Sequence, residues 1–367
     1  MAITATARSA IEEGLKIQRL DYFSFPVRDL EVAQTFYCSV LGGSPSSTLP
    51  SRDGADSLTV NLFPGDVRLR LVQQDTGQVR PDDMNPHYAF HVDNPTRYDA
   101  LIHRLRAWGI PVVGPMTGLQ IPAPATGTPA HVQVYFDDPD GNHMEAGCHV
   151  YPFFPGMHMK PFDGLPYDPW PLQYSWREWR RTYCVDEKRE LQDGAEAGFR
   201  LDCLNHYTLP VRDLARAGQF YANVLGGEPI PTFSEIYRME QGIPLTPGHL
   251  AYLRLCDGLD RIVVGRQTGG WPPPDVHHPL QAYVVPGVEL DHWMRHFASW
   301  GVPSQLTWAQ VDDQESEGRE TVALHFRDPD GNNLALTSTD YRGHSVPQQS
   351  LDGFALSYRA DAWPPPA

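Results

Sequence analysis

The sequence predicts an α+β protein built from four βαβββ modules, and three observations carry that reading. Phe-Pro-Val-Arg-Asp-Leu at Phe25 to Leu30 returns as Leu-Pro-Val-Arg-Asp-Leu at Leu209 to Leu214. Each copy is followed by Phe-Tyr (Phe36-Tyr37, Phe220-Tyr221) and Val-Leu-Gly-Gly (Val40 to Gly43, Val224 to Gly227), at a constant offset of 184 residues. A second motif, Asp-Pro-Asp-Gly-Asn, occupies Asp138 to Asn142 and Asp328 to Asn332, an offset of 190. The third observation is punctuation: 35 prolines and 31 glycines in 367 residues divide the chain into short elements. Two motifs recurring in one order mean a duplicated unit, over 18–150 and 200–342. An aromatic and proline-rich connector at 151–199 and a tail at 343–367 complete the chain.

The elements follow in the same order in both copies. Leu20 to Val27 and Leu204 to Val211 are short apolar runs that read as strands, each closed by Arg-Asp before a helical pattern that stops at Gly-Gly. Strand-like runs come next, at Ser57 to Phe63 and Val67 to Gln73, with Leu250 to Cys256 and Arg261 to Arg266 as counterparts. A second strand and helix begin at His87 to Val92 and Tyr98 to Trp108, copied at Gln281 to Val285 and Leu290 to Trp300. A hairpin closes each copy: Val132 to Phe136 with His143 to Cys148, and Val322 to Phe326 with Asn333 to Thr337. The Asp-Gly-Asn between the arms supplies the positive φ a tight reversal needs. Tyr151 to Tyr183 is too aromatic for a flexible linker and reads as an ordered, packed connector. The Trp271-Pro-Pro-Pro loop and the Trp363-Pro-Pro-Pro tail are read in the same way.

Composition limits the function. A net charge of −16 repels phosphate backbones and anionic lipid, which argues against nucleic-acid and membrane-surface roles and leaves a small molecule as the expected partner. Five cysteines without a C-x-x-C pair suit a reducing cytoplasm. No run approaches 18 apolar residues and the first 20 residues lack a sustained apolar core, so neither a membrane span nor a secretory leader is expected. The expected location is cytoplasmic, and oligomeric state is left open.

With Pro-Val-Arg-Asp-Leu, Phe-Tyr, Val-Leu-Gly-Gly and both Asp-Pro-Asp-Gly-Asn turns, the chain resembles the vicinal oxygen chelate superfamily, which includes glyoxalase I, type I extradiol dioxygenases and the bleomycin and fosfomycin resistance proteins. The resemblance implies two domains of curved mixed sheet, each an incomplete barrel. It is weak for the reaction, because members include isomerases, lyases, transferases, dioxygenases and metal-free binders. Projecting the family's ligand positions gives Tyr22, His87 and Glu145 in the first copy, and His206, Gln281 and Ala335 in the second. Neither set is complete. Tandem members that combine modules from both copies imply a single site of His206, His87 and Glu145, leaving Tyr22, Gln281 and Ala335 as a silent counterpart.

Two imidazoles and a carboxylate leave positions open on a divalent ion, as in non-haem Fe(II) oxygenases. Strand alternation puts Ala89 and His91 on the face of His87, and His143 and Gly147 on the face of Glu145, so His91 and His143 are expected near the metal. The fourth carboxylate of glyoxalase I maps near Val263, where no acid stands. The ring-cleaving members' Tyr, ten residues before the ligand Glu, maps to Tyr135. Their acid/base His is replaced by Asp260 or Arg261, so the proton carrier is expected among His249, Asp260 and His91. The resulting expectation is an Fe(II) dioxygenase that chelates two vicinal oxygens of a small aromatic or enolisable substrate in the presence of dioxygen. The alternatives are a redox-neutral isomerase or lyase using Zn, Mn, Ni or Mg, and a metal-free resistance protein that sequesters a small molecule.

Overall fold

A computed structural model of the chain describes residues 8–50, 56–74, 87–117, 129–152, 201–232, 250–256, 261–266, 279–309 and 321–343. The connector from 153 onward, the Trp271-Pro-Pro-Pro loop, the tail from 344, and the candidate proton carriers His249 and Asp260 lie outside the described residues.

The first module runs β1 (Arg19–Val27), α1 (Leu30–Gln34), β2 (Ser44–Pro50), β3 (Asp56–Asn61) and β4 (Arg68–Gln73). The second has β5 (His87–His91), α2 (Pro95–Ala107), β6 (Val113–Thr117), β7 (Pro129–Asp137) and β8 (His143–Pro152). The third has β9 (Cys203–Val211), α3 (Leu214–Gln219), β10 (Glu228–Ile230), β11 (Leu250–Arg254) and β12 (Arg261–Arg266). The fourth has β13 (Leu280–Val284), α4 (Leu290–Ser299), β14 (Ser304–Ala309), β15 (Thr321–Arg327) and β16 (Asn333–Ser338).

These strands form two eight-stranded sheets, β14-β15-β16-β13-β1-β4-β3-β2 and β10-β11-β12-β9-β5-β8-β7-β6. Both mix parallel and antiparallel pairs, and among the described residues neither closes into a barrel. The fold is α+β with few helices. Each sheet takes one module from each sequence repeat: the first and fourth share one, the second and third the other. The seams are the antiparallel pairs β1 with β13 and β5 with β9.

All four strands missing from the sequence reading, β2, β6, β10 and β14, are edge strands. An edge strand pairs on one side only, so it tolerates Pro and Gly, here Pro45, Pro50, Gly114, Pro115 and Pro229. Such strands carry little apolar alternation to read. The helical pattern before Gly-Gly also differs from a regular helix. After α1 and α3 the chain widens into π-helical turns, Thr35–Val40 and Phe220–Val224.

The repeated motifs are architectural. Asp29 and Asp213 cap α1 and α3, each carboxylate accepting two amides of the first turn at 2.9–3.1 Å. Gly42 and Gly226 take φ of 77° and 76° at the helix ends. The next glycine is needed for closeness, since a Cβ on Gly43 or Gly227 would sit 2.8 Å from the carbonyl oxygen of Tyr37 or Tyr221. Those tyrosines reach the turns of the following module. Tyr37 donates its hydroxyl hydrogen to Asp138 Oδ2 at 2.7 Å, and Tyr221 donates to Asp328 Oδ2 at 2.9 Å. Asn142 Nδ2 donates to the same Asp138 oxygen and to the carbonyl of Pro26, and Asn332 repeats both bonds with Asp328 and Pro210. Each repeat is therefore latched internally while its two modules serve different sheets. Asn142→Ala removes both bonds at a fully buried position and is expected to lower stability by about 2–3 kcal/mol. Urea unfolding that shows a reduced midpoint at unchanged m, with metal content unaltered, checks this.

Between the sheets lies an aromatic core. Tyr88 stacks on Phe23 with centroids 5.1 Å apart and meets Phe25 edge-on at 4.5 Å. Phe90 and Val92 join the same cluster. The pleat thus sends Tyr88 and Phe90 inward and turns His87, Ala89 and His91 to the opposite face of β5.

Candidate metal centre

Three strands meet where His87, Glu145 and His206 stand. β8 runs parallel to β5 and aligns His87 with His143 and Ala89 with Glu145. On the other side, β9 runs antiparallel across the seam and sets His87 opposite Thr208 and Ala89 opposite His206. His87, Glu145 and His206 therefore share one face, and one donor atom from each lies within 4.8 Å of the others. His87 Nε2 is 3.4 Å from Glu145 Oε2, and the His87 and His206 rings are 5.5 Å apart. His87 and Glu145 are buried, and His206 is partly so.

The surroundings orient both imidazoles. Thr208 Oγ1 lies 2.8 Å from His87 Nδ1 and accepts the His87 amide at 3.0 Å. His206 Nδ1 sits 2.6 Å from Asn205 Oδ1, a carbonyl oxygen that only accepts. The Nδ1 proton of His206 is thereby fixed and its Nε2 left with a lone pair. Burial pushes the His206 imidazole well below its usual pKa, against the pull of Glu145, so the ring is neutral. Burial would raise the Glu145 carboxyl, but its hydrogen bond with His87 and the nearby His206 hold it below the usual carboxylate range. Two imidazoles, that of His206 neutral, and an ionised carboxylate on one face fit a divalent first-row ion.

Other residues singled out in the sequence fall around this group. Tyr135 lies directly opposite Glu145 in the β7–β8 hairpin and is fully buried. Its ring stacks on His143 at 5.6 Å and stands edge-on to His87 at 5.9 Å, while Gln133 Nε2 donates to its hydroxyl at 2.7 Å. His143 is 5.9 Å from His87, ring to ring, and its Nδ1 is 2.6 Å from Asp137. His91 keeps the expected face but belongs to a second group, with Asp93 and His149.

One projection needs correction. In the other sheet, Tyr22 pairs with Ala282 and Ser24 faces Leu280, as His206 pairs with Ala89 and Thr208 faces His87. The counterpart of His87 is thus Leu280, one residue before Gln281. Gln281 points to the inter-sheet side, where its Nε2 donates to Tyr88 at 2.5 Å. With Tyr22, Leu280 and Ala335 at the three positions, the silent cup lacks an imidazole or carboxylate donor there.

Several neighbours escaped the sequence reading. Asn205 and Thr208 flank His206 at −1 and +2, which is the only local signal they give. In the family resemblance Arg261 stands only as a replacement for an acid/base residue. It pairs with His206 in the strand register, is buried, donates to Asn205 at 3.2 Å, and holds its guanidinium 5.3 Å from the Tyr252 ring centre. His131, unnoticed in sequence, is pushed down to about 4 by burial, with His149, His91 and Arg261 adding to the shift and Glu145 opposing it.

The comparisons agree with this architecture. The sequence model of the Glyoxalase/Bleomycin resistance protein/Dioxygenase superfamily matches residues 19–146 and 203–336. The chain belongs to that superfamily. Among solved structures, a candidate dioxygenase from Bacillus subtilis subsp. subtilis str. 168 is 15% identical, with a TM-score of 0.53 over 89% of this chain and 86% of that one. Glyoxalase I from Zea mays is 14% identical, with a TM-score of 0.50 over 88% of this chain and 92% of the other. A single-residue variant of the maize protein gives 15% and 0.51 over the same shares. At these identities the likeness shows the fold. No curated protein matches the sequence. Among the described residues no helix is long and apolar enough to cross a membrane.

Proposed function

We propose that this chain is an Fe(II)-dependent dioxygenase acting on a small aromatic or enolisable substrate that presents two vicinal oxygens, and that His87, Glu145 and His206 hold the iron. The observation that carries the reading is the donor set together with what stands opposite it. Glu145 lies beside Ala89, two residues past His87, and the equivalent place beside Thr208, two past His206, belongs to Val263. A fourth carboxylate there would favour redox-neutral proton shuttling, whereas a three-donor face leaves room for substrate and dioxygen. Iron bound here would supply Lewis acidity and one-electron chemistry towards dioxygen.

The chain's own residues do the rest. Asn205 holds the His206 ring in the tautomer that leaves Nε2 as donor, and Thr208 Oγ1 orients the His87 ring through its Nδ1. Arg261 places a fixed positive charge next to His206, suited to an ionised substrate oxygen or a carboxylate on the substrate. Tyr135, held by Gln133 and stacked on His143, offers a hydroxyl on the Glu145 side for a bound phenolate.

Oxygen consumption tests the reading. Protein stripped of metal and loaded anaerobically with Fe(II) is expected to take up about one dioxygen per substrate consumed from a catechol and hydroquinone panel, and to take up none when loaded with Zn(II). Turnover with Zn or Mn and no oxygen uptake would establish a redox-neutral isomerase or lyase instead. Ligand affinity unchanged in metal-free protein, and in His87→Ala and His206→Ala, would establish a binding protein.

A further inference from the structure

A second group of ligating side chains lies farther along the same sheet. His91 ends β5, Asp93 follows in the loop, His149 lies on β8 and His131 on β7. Parallel pairing aligns His91 with Gly147, which brings His149 level with the loop that carries Asp93. Gly147 also keeps space for the neighbouring ring, since a Cβ there would sit 3.0 Å from His131 Nε2. The His149 ring is 4.0 Å from His91 and 4.5 Å from His131, centre to centre.

The distances around Asp93 carry the argument. His91 Nδ1 is 3.6 Å from Asp93 Oδ2, and His149 Nδ1 is 3.9 Å from Asp93 Oδ1. A direct N–H···O bond measures about 2.7–3.2 Å, so both separations are too long for one. Two donors that share one ion at about 2.0–2.2 Å lie roughly 3–4 Å apart, which both separations match. One donor atom from each of His91, Asp93 and His149 falls within 4.8 Å of the others. Asp93 is held in place: its amide donates to Asp202 at 2.9 Å, Arg97 grips Asp202 at 2.7 Å, and the His149 amide donates to Asp93 Oδ1 at 3.2 Å. The carboxylate is about half exposed, so an ion reaches this group from solvent, while His87 and Glu145 are buried.

We propose that His91, Asp93 and His149 form a second divalent transition-metal site, with His131 beside it. Two imidazoles and one carboxylate select ions of the Zn(II), Cu(II), Ni(II) class over Ca(II) or Mg(II). The proposal stands independently of the reaction at the buried triad.

Metal content of the full-length chain tests it. Stripped protein equilibrated with Zn(II) and passed through gel filtration is expected to retain about two equivalents. The double substitution D93N/H149Q is expected to retain about one, at unchanged thermal unfolding of the metal-free form. H206A/E145Q is expected to lose the other equivalent, so failure at the triad shows separately. Equal zinc in wild type and D93N/H149Q would overturn the second site. Should D93N/H149Q fail to fold, Cu(II) bound to H206A/E145Q provides the second measurement. Electron paramagnetic resonance is then expected to show nitrogen hyperfine splitting from imidazole, and its absence would overturn the proposal.

Discussion

His206→Ala is expected to abolish both tight metal binding and turnover, although His87 and Glu145 belong to the other repeat, the nearer of them more than 60 residues away. Loss of a ligand removes more than loss of an orienting partner, which costs about 10–100-fold in metal affinity. Iron affinity should therefore fall by more than about 100-fold, and kcat/KM by about 10³-fold or more, since the metal contributes several kcal/mol to the barrier. Thr208→Val, which removes only the hydroxyl next to His87 Nδ1, is expected to stay within the 10–100-fold range. Equilibrium dialysis with Fe(II) and steady-state oxygen uptake read both variants. An unchanged iron content in His206→Ala would show that the first repeat holds metal alone.

Val263→Glu is expected to have the second large effect, in the opposite direction for binding. The side chain occupies the place related to that of Glu145 and is buried against the seam strand. A carboxylate there completes a four-donor set, so metal affinity should rise by about tenfold or more while oxygen uptake falls by about 100-fold, because an open position has been filled. The metal-free variant should lose several kcal/mol of stability from an uncompensated buried carboxylate and regain it on loading. Thermal unfolding with and without Zn(II), alongside oxygen uptake, checks both halves. Uptake at the wild-type rate would mean that position 263 does not face the triad.

Much of this architecture was legible because the motifs are the latches themselves. Asp29, the Gly42-Gly43 pair and Asn142 each satisfy a backbone requirement that few other residues meet, Tyr37 ties its module to the Asp138 turn, and all recur at fixed spacing. The triad was legible at the level of residue type and strand position. Its faces follow from the pleat, and its cross-repeat assembly from module order. Edge strands were not legible, since they owe their structure to a single neighbour. Register was harder still. Gln281 and Leu280 differ by one residue, and in a strand of period two that shift moves a side chain from the cup to the inter-sheet core. The closeness of Arg261, Asn205 and His131 to the centre emerged only from packing, because it depends on which strands pair across the seam. His91 was placed on the right face, and its grouping with Asp93 and His149 depends on how the β5 loop returns beside β8.

The central claim is that one catalytic ion is shared between the two repeats, and anomalous diffraction from crystals of the Fe(II)-loaded chain measures it directly. An iron peak is expected about 2.0–2.2 Å from an imidazole nitrogen of His87, an imidazole nitrogen of His206 and a carboxylate oxygen of Glu145. An iron peak that leaves out His206, or lies in the cup of Tyr22, Leu280 and Ala335, would contradict it.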